Sequence, residues 1–332
     1  MPRVLPAFRK TGEIDHASIQ EAAALLRAGR LVALPTETVY GLAADARNAD
    51  AVRRIFAAKG RPSFNPLIVH VTGAGQARSL TADWPATAES LARAFWPGAL
   101  SLVLPRRPLI PLEVTGGLET VALRAPSHPV ARAVLMEAGL PFAAPSANRS
   151  NAISPTRAEH VIASLGDRID AVLDGGSCDI GIESTVVDVT HEPPVILRPG
   201  GVPAGAIEQV IGALGQRDAV GLIASPGMLA RHYAPDAITH LFDPAGLGAL
   251  LNELPAQARI GGLVATVSCP EDHRIALWEK LGSDPVIFAR HMYEALHRME
   301  DAGVTHVLLE RLPGSSEWEA VADRLRRAAS RE

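Results

Sequence analysis

Short apolar runs rich in Val, Leu and Ile recur along the chain: Leu31 to Pro35, Leu67 to Val71, Leu100 to Leu104, Val121 to Arg124, Pro141 to Ala144, Ala171 to Asp174, Thr185 to Val189 and Val195 to Arg198. Runs of this length, bounded by turn residues, predict strands buried on one or both faces. Between them the apolar positions take a helical spacing. In Asp50 to Lys59, Val52, Ile55 and Phe56 share one face, with Asp50 as a start signal and Gly60 as a stop. The same reading predicts helices at Ile19 to Ala28, Ala88 to Phe95, Pro129 to Ala138 and Arg157 to Leu165. Strands so mixed with helices, some joined by short links, predict an α/β fold with a mixed sheet.

From Ala213 to Ala237 the periodicity lapses, and Ser225 to Pro235 carries two prolines and a glycine without a helix or strand pattern. This predicts an interdomain linker, set at 206–237 between a first domain at 12–205 and a second at 238–332. After it come a strand at Ile238 to Phe242, a helix from Ala245, a strand at Gly262 to Val267, a helix around Val286 to Ala302, a strand at His306 to Glu310 and a final helix. That alternation predicts a smaller, Rossmann-like α/β domain with a parallel sheet.

At 332 residues the chain has room for two domains, each with its own core. With 47% hydrophobic and 20% charged residues and a net charge of -4, it reads as globular rather than disordered. No Lys/Arg run makes the basic stripe of a dedicated nucleic-acid binder, so charge lends no support to RNA contact. No apolar run approaches the ~20 residues of a membrane span. Met1 to Thr11 also lacks an export signal, so a cytoplasmic protein with no membrane partner is expected. Cys178 and Cys269 lack metal-ligand spacing, and neither a zinc site nor a disulfide framework is expected.

Familiar phosphate loops are missing: there is no Gly-x-x-x-x-Gly-Lys-Ser/Thr, and Gly73-Ala-Gly75 opens no convincing helix. Polar residues gather instead at predicted strand ends, where α/β sheets bind ligands. Thr36, Glu37 and Thr38 could orient a small polar substrate or simply satisfy a turn. Lys59 and Arg61, with Asn65 beyond, suit phosphate oxygens, and equally suit a helix C-terminus that favours cations. His70 ends one strand, where a core histidine is the plain alternative. Arg124 ends another and could pair with a carboxylate or reach solvent. Ser146 and Asn148 follow small residues that let a ligand approach the backbone, although turn formers alone explain the loop. Ser184 precedes a strand and Arg198 follows one.

In this order the clusters closely resemble the YrdC-like family of threonylcarbamoyl-AMP synthases. The matching stretches are PTETVYGL from Pro35, KGRPSFNPLIVH from Lys59, FWPGALSLVL from Phe95, TVALRAPSHP from Thr120, PSANRSNAISPT from Pro145, DGGSCDIGIESTVVD from Asp174 and ILRPGGV from Ile196. SPGMLARHYAP from Ser225 and the parallel unit after it resemble the linker and second domain of the family's long form. PGALS from Pro97 departs mildly from the usual PGPLT.

The resemblance implies a twisted mixed sheet and a nucleotidyltransferase. That enzyme condenses L-threonine, bicarbonate and ATP to L-threonylcarbamoyl-AMP, diphosphate and water, normally with magnesium, for threonylcarbamoyl modification of tRNA. It assigns Thr38, His70, Arg124, Ala144 and Ser184 to threonine, with Arg124 on its carboxylate. Arg61, Asn65, Thr120, Ser146, Ser154, Arg198 and Tyr233 match ATP positions, and Lys59, Arg61, Ser146 and Asn148 form the catalytic signature; no protein-held metal site is implied. The implied downstream partner is the tRNA threonylcarbamoyltransferase complex, with direct tRNA contact left open. Tyr233 would make the linker a lid. In-line displacement at phosphorus needs mainly positioning and charge neutralisation, which Lys59, Arg61 and Arg198 can supply without a covalent nucleophile. Two competing roles fit less well: carbamoyl transfer in hydrogenase maturation needs an acylphosphatase-like segment and paired cysteine motifs, and an RNA-binding module is opposed by the charge balance.

Overall fold

The computed structural model describes residues 1–216 and 233–330. The first part of the chain contributes β1 (Arg3–Pro6), β2 (Val32–Leu34), β3 (Gly41–Asp45), β4 (Ile68–His70) and β5 (Leu100–Pro105). To these it adds β6 (Thr120–Arg124), β7 (Phe142–Ala143), β8 (Ala171–Asp174), β9 (Thr185–Asp188) and β10 (Val195–Arg198). They form one sheet in the order β1-β8-β2-β3-β7-β4-β6-β5-β9-β10. It is mixed: β4 and β6 run parallel, for example, while β2 and β3, and β5 and β6, run antiparallel.

Both faces of this sheet are covered, which is why its strands read as continuous apolar runs. Val32 and Leu34 turn to a core shared with the helices His16–Arg27 and Pro129–Ala138. Leu31 and Ala33 turn to the opposite core, filled by Ile55, Leu91 and Val161 from the helices Ala49–Lys59, Ala86–Phe95 and Ala158–Leu165.

Some elements differ from the sequence reading. The helix Ala49–Lys59 is capped by Asn48, whose side chain accepts from the backbone of Asp50 and Ala51; Asp50 sits within the first turn. Gly73 does precede a helix, Ala74–Leu80, and the Gln76 side chain reaches back to accept from the backbone N–H of Thr72 at 2.9 Å. At the start of the expected linker lies a helix, Ala204–Ile211. Residues 217–232, which hold Ser225 to His232, fall outside the described residues.

The second unit is a parallel sheet of β11 (Ile238–Phe242), β12 (Ile260–Val264), β13 (Ile275–Lys280) and β14 (His306–Glu310), ordered β11-β14-β12-β13. One of its apolar clusters, around Phe288, Met292 and Leu296 of the helix Pro285–Asp301, takes in Val39, Ile153, Ile182 and Tyr233 from outside the unit. The two sheets are thus joined by a shared core. Gly181 permits this close fit: its φ is +80°, and a Cβ there would lie 2.5 Å from the Arg290 backbone. Cys178 is a buried free thiol and Cys269 an exposed one. No helix among the described residues is long and apolar enough to cross a membrane.

Across the same interface His160 and His297 stack with ring centroids 3.8 Å apart, and His297 Nε2 donates to the Ser154 carbonyl at 3.2 Å. Burial lowers both to about 4, helped at His160 by Arg157 and Arg298 and at His297 by His160. The unfolded chain protonates each near ~6.5, so unfolding takes up protons below that value, and stability is lost as pH falls from about 6.5 towards 4. The midpoint of thermal unfolding should therefore decline through this window. A His160→Asn/His297→Asn double variant should show a shallower decline, and an unchanged slope would contradict the assignment.

Candidate active site

The mixed topology carries residues far apart in sequence to one pocket on the large sheet. Thr36 and Thr38 follow β2, Gly41 opens the antiparallel β3, His70 and Arg124 close β4 and β6, Ala144 to Ser146 follow β7, Ser184 precedes β9 and Arg198 closes β10. Together with Arg61, Glu183 and Tyr233 they line one pocket.

One side is organised around Arg124, which is buried at the end of β6. Its Nε donates to the Gly98 carbonyl at 3.1 Å, Nη1 to Thr38 Oγ1 at 2.9 Å, and Nη2 lies 2.7 Å from Glu37 Oε1. A guanidinium carries five N–H donors, so two remain for a ligand carboxylate. Burial raises the Glu37 carboxyl, but the Arg124 charge and hydrogen bond outweigh it and hold the group below the usual carboxylate range.

The hydroxyls beside Arg124 have a fixed polarity. Thr36 Oγ1 donates to the Val39 carbonyl at 2.6 Å, so the 2.9 Å contact between the two threonine hydroxyls must be a donation from Thr38 to Thr36. With its proton committed, Thr38 can offer a ligand only a lone pair, which suits an ammonium or hydroxyl donor. His70 is pushed down to about 3 by burial and then by Arg124, against a weaker pull from Glu37. It is a neutral hydrogen-bonding ring at physiological pH.

The other side is cationic. Gly60, at φ +61°, ends the helix Ala49–Lys59 in a left-handed turn that sends Lys59 and Arg61 inward on either side. Arg61 is tied by Nε to the Asn65 carbonyl at 3.1 Å and by Nη2 to Asn65 Oδ1 at 2.6 Å and the Pro66 carbonyl at 2.9 Å. Burial is the main reason its ordinary value falls to about 10, which leaves it charged. Arg198 donates through Nε and Nη2 to the Ser184 carbonyl at 3.2 and 2.9 Å. Ser184 Oγ also meets Ser101 Oγ at 2.8 Å.

Lys59 behaves differently from its expected place on the phosphate side. Its ammonium donates to the carbonyl of Ser146 at 2.6 Å, to the carbonyl of Asn148, and to Asn148 Oδ1 at 3.4 Å. All three donors thus pin the loop that presents Ser146. Asn148 closes that loop through Nδ2 to the Ala152 carbonyl at 2.7 Å. Burial, then the Arg61 charge, pushes Lys59 well below the lysine range.

Of the residues singled out from sequence, Thr38, Arg61, His70, Arg124, Ala144, Ser146, Ser184, Arg198 and Tyr233 line the pocket. Lys59, Asn65 and Ser154 stand directly behind it, bonded to Ser146, Arg61 and Glu183 of its wall, and Asn148 stands one step further back, bonded to Lys59. Thr120 is the exception. It opens β6 at the opposite end from Arg124, about 13 Å away for four strand residues, and is not part of the pocket wall. Sequence reasoning gave Glu183 no role and placed Glu37 in a cluster that could face a substrate or satisfy a turn; both are buried, charged and paired to arginine.

Buried cations and oriented hydroxyls gathered in one pocket of a mixed sheet define an α/β binding site for small anionic ligands. The Sua5/YciO/YrdC family model, described as "Telomere recombination", matches residues 24–200, and the model "Threonylcarbamoyl-AMP synthase, C-terminal domain" matches residues 202–330. The threonylcarbamoyl-AMP synthase of Bacillus subtilis (strain 168) is 43% identical over 324 residues, 95% of this chain and 94% of its own. That of Pyrococcus abyssi (strain GE5 / Orsay) is 41% identical over 327 residues, 95% of each. A crystal structure of P. abyssi Sua5 complexed with L-threonine matches with a TM-score of 0.88 at 39% identity, covering 98% of this chain and 97% of that one. The chain belongs to the Sua5/YciO/YrdC family.

Removing the Lys59 ammonium leaves two buried carbonyls and an amide oxygen without their donor, at about 1–3 kcal/mol for each unsatisfied group. Lys59→Met should therefore unfold at clearly lower urea, with a loss of about 3 kcal/mol or more. Wild-type stability in that variant would refute the pinning role.

Proposed function

We propose that the chain is an L-threonylcarbamoyladenylate synthase, a nucleotidyltransferase that converts L-threonine, bicarbonate and ATP to L-threonylcarbamoyl-AMP, diphosphate and water. The observation that carries this reading is the convergence of Arg61, Arg124 and Arg198 with oriented hydroxyls on one pocket, in a chain whose relatives bear that name over almost their whole length.

In this reading the two unengaged N–H groups of Arg124 take the threonine carboxylate. Thr38, with its lone pair outward, accepts from the amine or hydroxyl, and His70, Ser184 and the backbone at Ala144 complete the recess. The threonine nitrogen forms a bond to the bicarbonate carbon with loss of water. An oxygen of the resulting carbamate attacks the α-phosphorus, and the bond to the β-phosphate oxygen breaks as diphosphate departs. Arg61 and Arg198 neutralise the phosphate charge, and Ser146 and Tyr233 hold the nucleotide beside them. Asn65 fits as a further contact: it is fully buried, and its Nδ2 has no hydrogen-bond partner among the described residues. Lys59, Asn148 and Ser154 act by holding these groups in place, and Thr120 takes no part.

Magnesium fits as the companion of the triphosphate rather than as an ion held by the chain. No group of three or more His, Cys, Asp or Glu side chains among the described residues could cage it, and the pocket carboxylates Glu37 and Glu183 are both engaged by arginine. When bound, the ion would add positive charge on the phosphate oxygens. The product is a labile mixed anhydride, suited to a cytoplasmic tRNA threonylcarbamoyltransferase complex as the consumer.

The purified chain should yield threonylcarbamoyl-AMP, detected by mass spectrometry, only when threonine, bicarbonate and ATP are all supplied. Arg61→Ala or Arg198→Ala should abolish diphosphate release in a protein that still folds by circular dichroism. Normal turnover in either folded variant would refute the phosphate assignment.

A further inference from the structure

Arg324 lies on the last helix of the second unit, Glu319–Ala329, yet it is only 1% exposed and heads the fully buried side chains by size. Its Nε donates to Glu183 Oε2 at 3.0 Å and its Nη1 to the Pro199 carbonyl at 2.7 Å. Its guanidinium also lies over the Tyr233 ring, 5.4 Å from the centroid. Nη1 also lies 3.1 Å from Asp323 on its own helix, but the three partners outside that helix adjoin or are pocket residues: Glu183 and Tyr233 line the pocket, and Pro199 follows Arg198. Tyr293, on the helix Pro285–Asp301, adds a second hold by donating to Glu183 Oε2 at 3.1 Å, and its ring lies 5.9 Å from that of Tyr233.

Fold stability alone does not explain this arrangement. A buried ion pair is costly to desolvate, and apolar side chains of similar size usually serve stability as well or better. Tyr233 also sits at φ +61°, a conformation that non-glycine residues keep only when their surroundings impose it. We infer that Arg324 is a positioning residue for nucleotide binding: through Glu183, Pro199 and Tyr233, it fixes the wall that presents Arg198 and Tyr233 to the nucleotide beside Ser184. The second unit thus completes the nucleotide site from behind, without touching the substrate. This rests on the synthase reading above.

The state of Glu183 agrees. Burial raises its carboxyl, but Arg324, then Arg198 and the Ser154 hydroxyl, outweigh that and keep it ionised between two guanidinium groups. The remaining contacts across the interface, including Arg290 Nε to the Asp179 carbonyl at 2.6 Å and Arg157 to Glu294 at 2.8 Å, do not involve Arg324 and should hold the units together without it.

The test compares the full-length wild type with Arg324→Met and Tyr293→Phe, measuring KM for ATP, KM for threonine and the thermal midpoint. Because two of the three supported residues are assigned to ATP, Arg324→Met should raise KM for ATP about tenfold or more and KM for threonine much less. Adding Glu183→Gln to Arg324→Met, which removes the stranded charge, should restore part of the ATP affinity. Wild-type KM for ATP in folded Arg324→Met overturns the inference and leaves the synthase reading intact. A wild type that makes no threonylcarbamoyl-AMP overturns both. Where Arg324→Met fails to fold, Tyr293→Phe decides: a rise of about threefold in KM for ATP supports positioning, and no change overturns it.

Discussion

Burying several like charges around one pocket is the constraint around which this protein is arranged. Arg61, Arg124 and Arg198 all reach the same pocket from buried positions, with Lys59 close behind. Left alone, such a group would repel itself and pay a desolvation cost of several kcal/mol per ion. The chain offsets this with fixed partners: Glu37 against Arg124, the Asn65 and Pro66 carbonyls around Arg61, the Ser184 carbonyl under Arg198, and loop carbonyls around Lys59. Two carboxylates, Glu37 and Glu183, stand among these cations, so the pocket keeps a positive excess that an anionic ligand would complete.

The sheet makes this convergence possible. β2 and β7 finish where β3 begins, while β4, β6 and β10 run the opposite way and finish where β9 begins. The turn after β2 reaches across to the second set, as the Arg124 Nη1 donation to Thr38 Oγ1 shows. The hydroxyl relay from Thr38 through Thr36 to the Val39 carbonyl is equally a product of the turn after β2, and it sets which side of each hydroxyl faces the pocket.

The strongly apolar, β-branched runs were legible in the sequence because both faces of the large sheet are buried. Strands β1, β3 and β13 were not. Arg3–Pro6 and Ile275–Lys280 are edge strands with exposed or half-exposed side chains, and Gly41–Asp45 is built of small residues packed tightly under helices. Most site residues could be found because each lies in a short local cluster of unusual polarity. Arg324 and Tyr293 carried no such signal: they meet Glu183 across 141 and 110 residues of chain, and each reads as an ordinary helix position.

The account rests on one cavity having two distinct ends. A crystal structure of the chain with threonine and a non-hydrolysable ATP analogue tests it most directly. The threonine carboxylate should lie on Arg124 with the triphosphate against Arg61 and Arg198, and the α-phosphorus should face the threonine nitrogen. Phosphates on Arg124, or the two ligands in separate cavities, would contradict it.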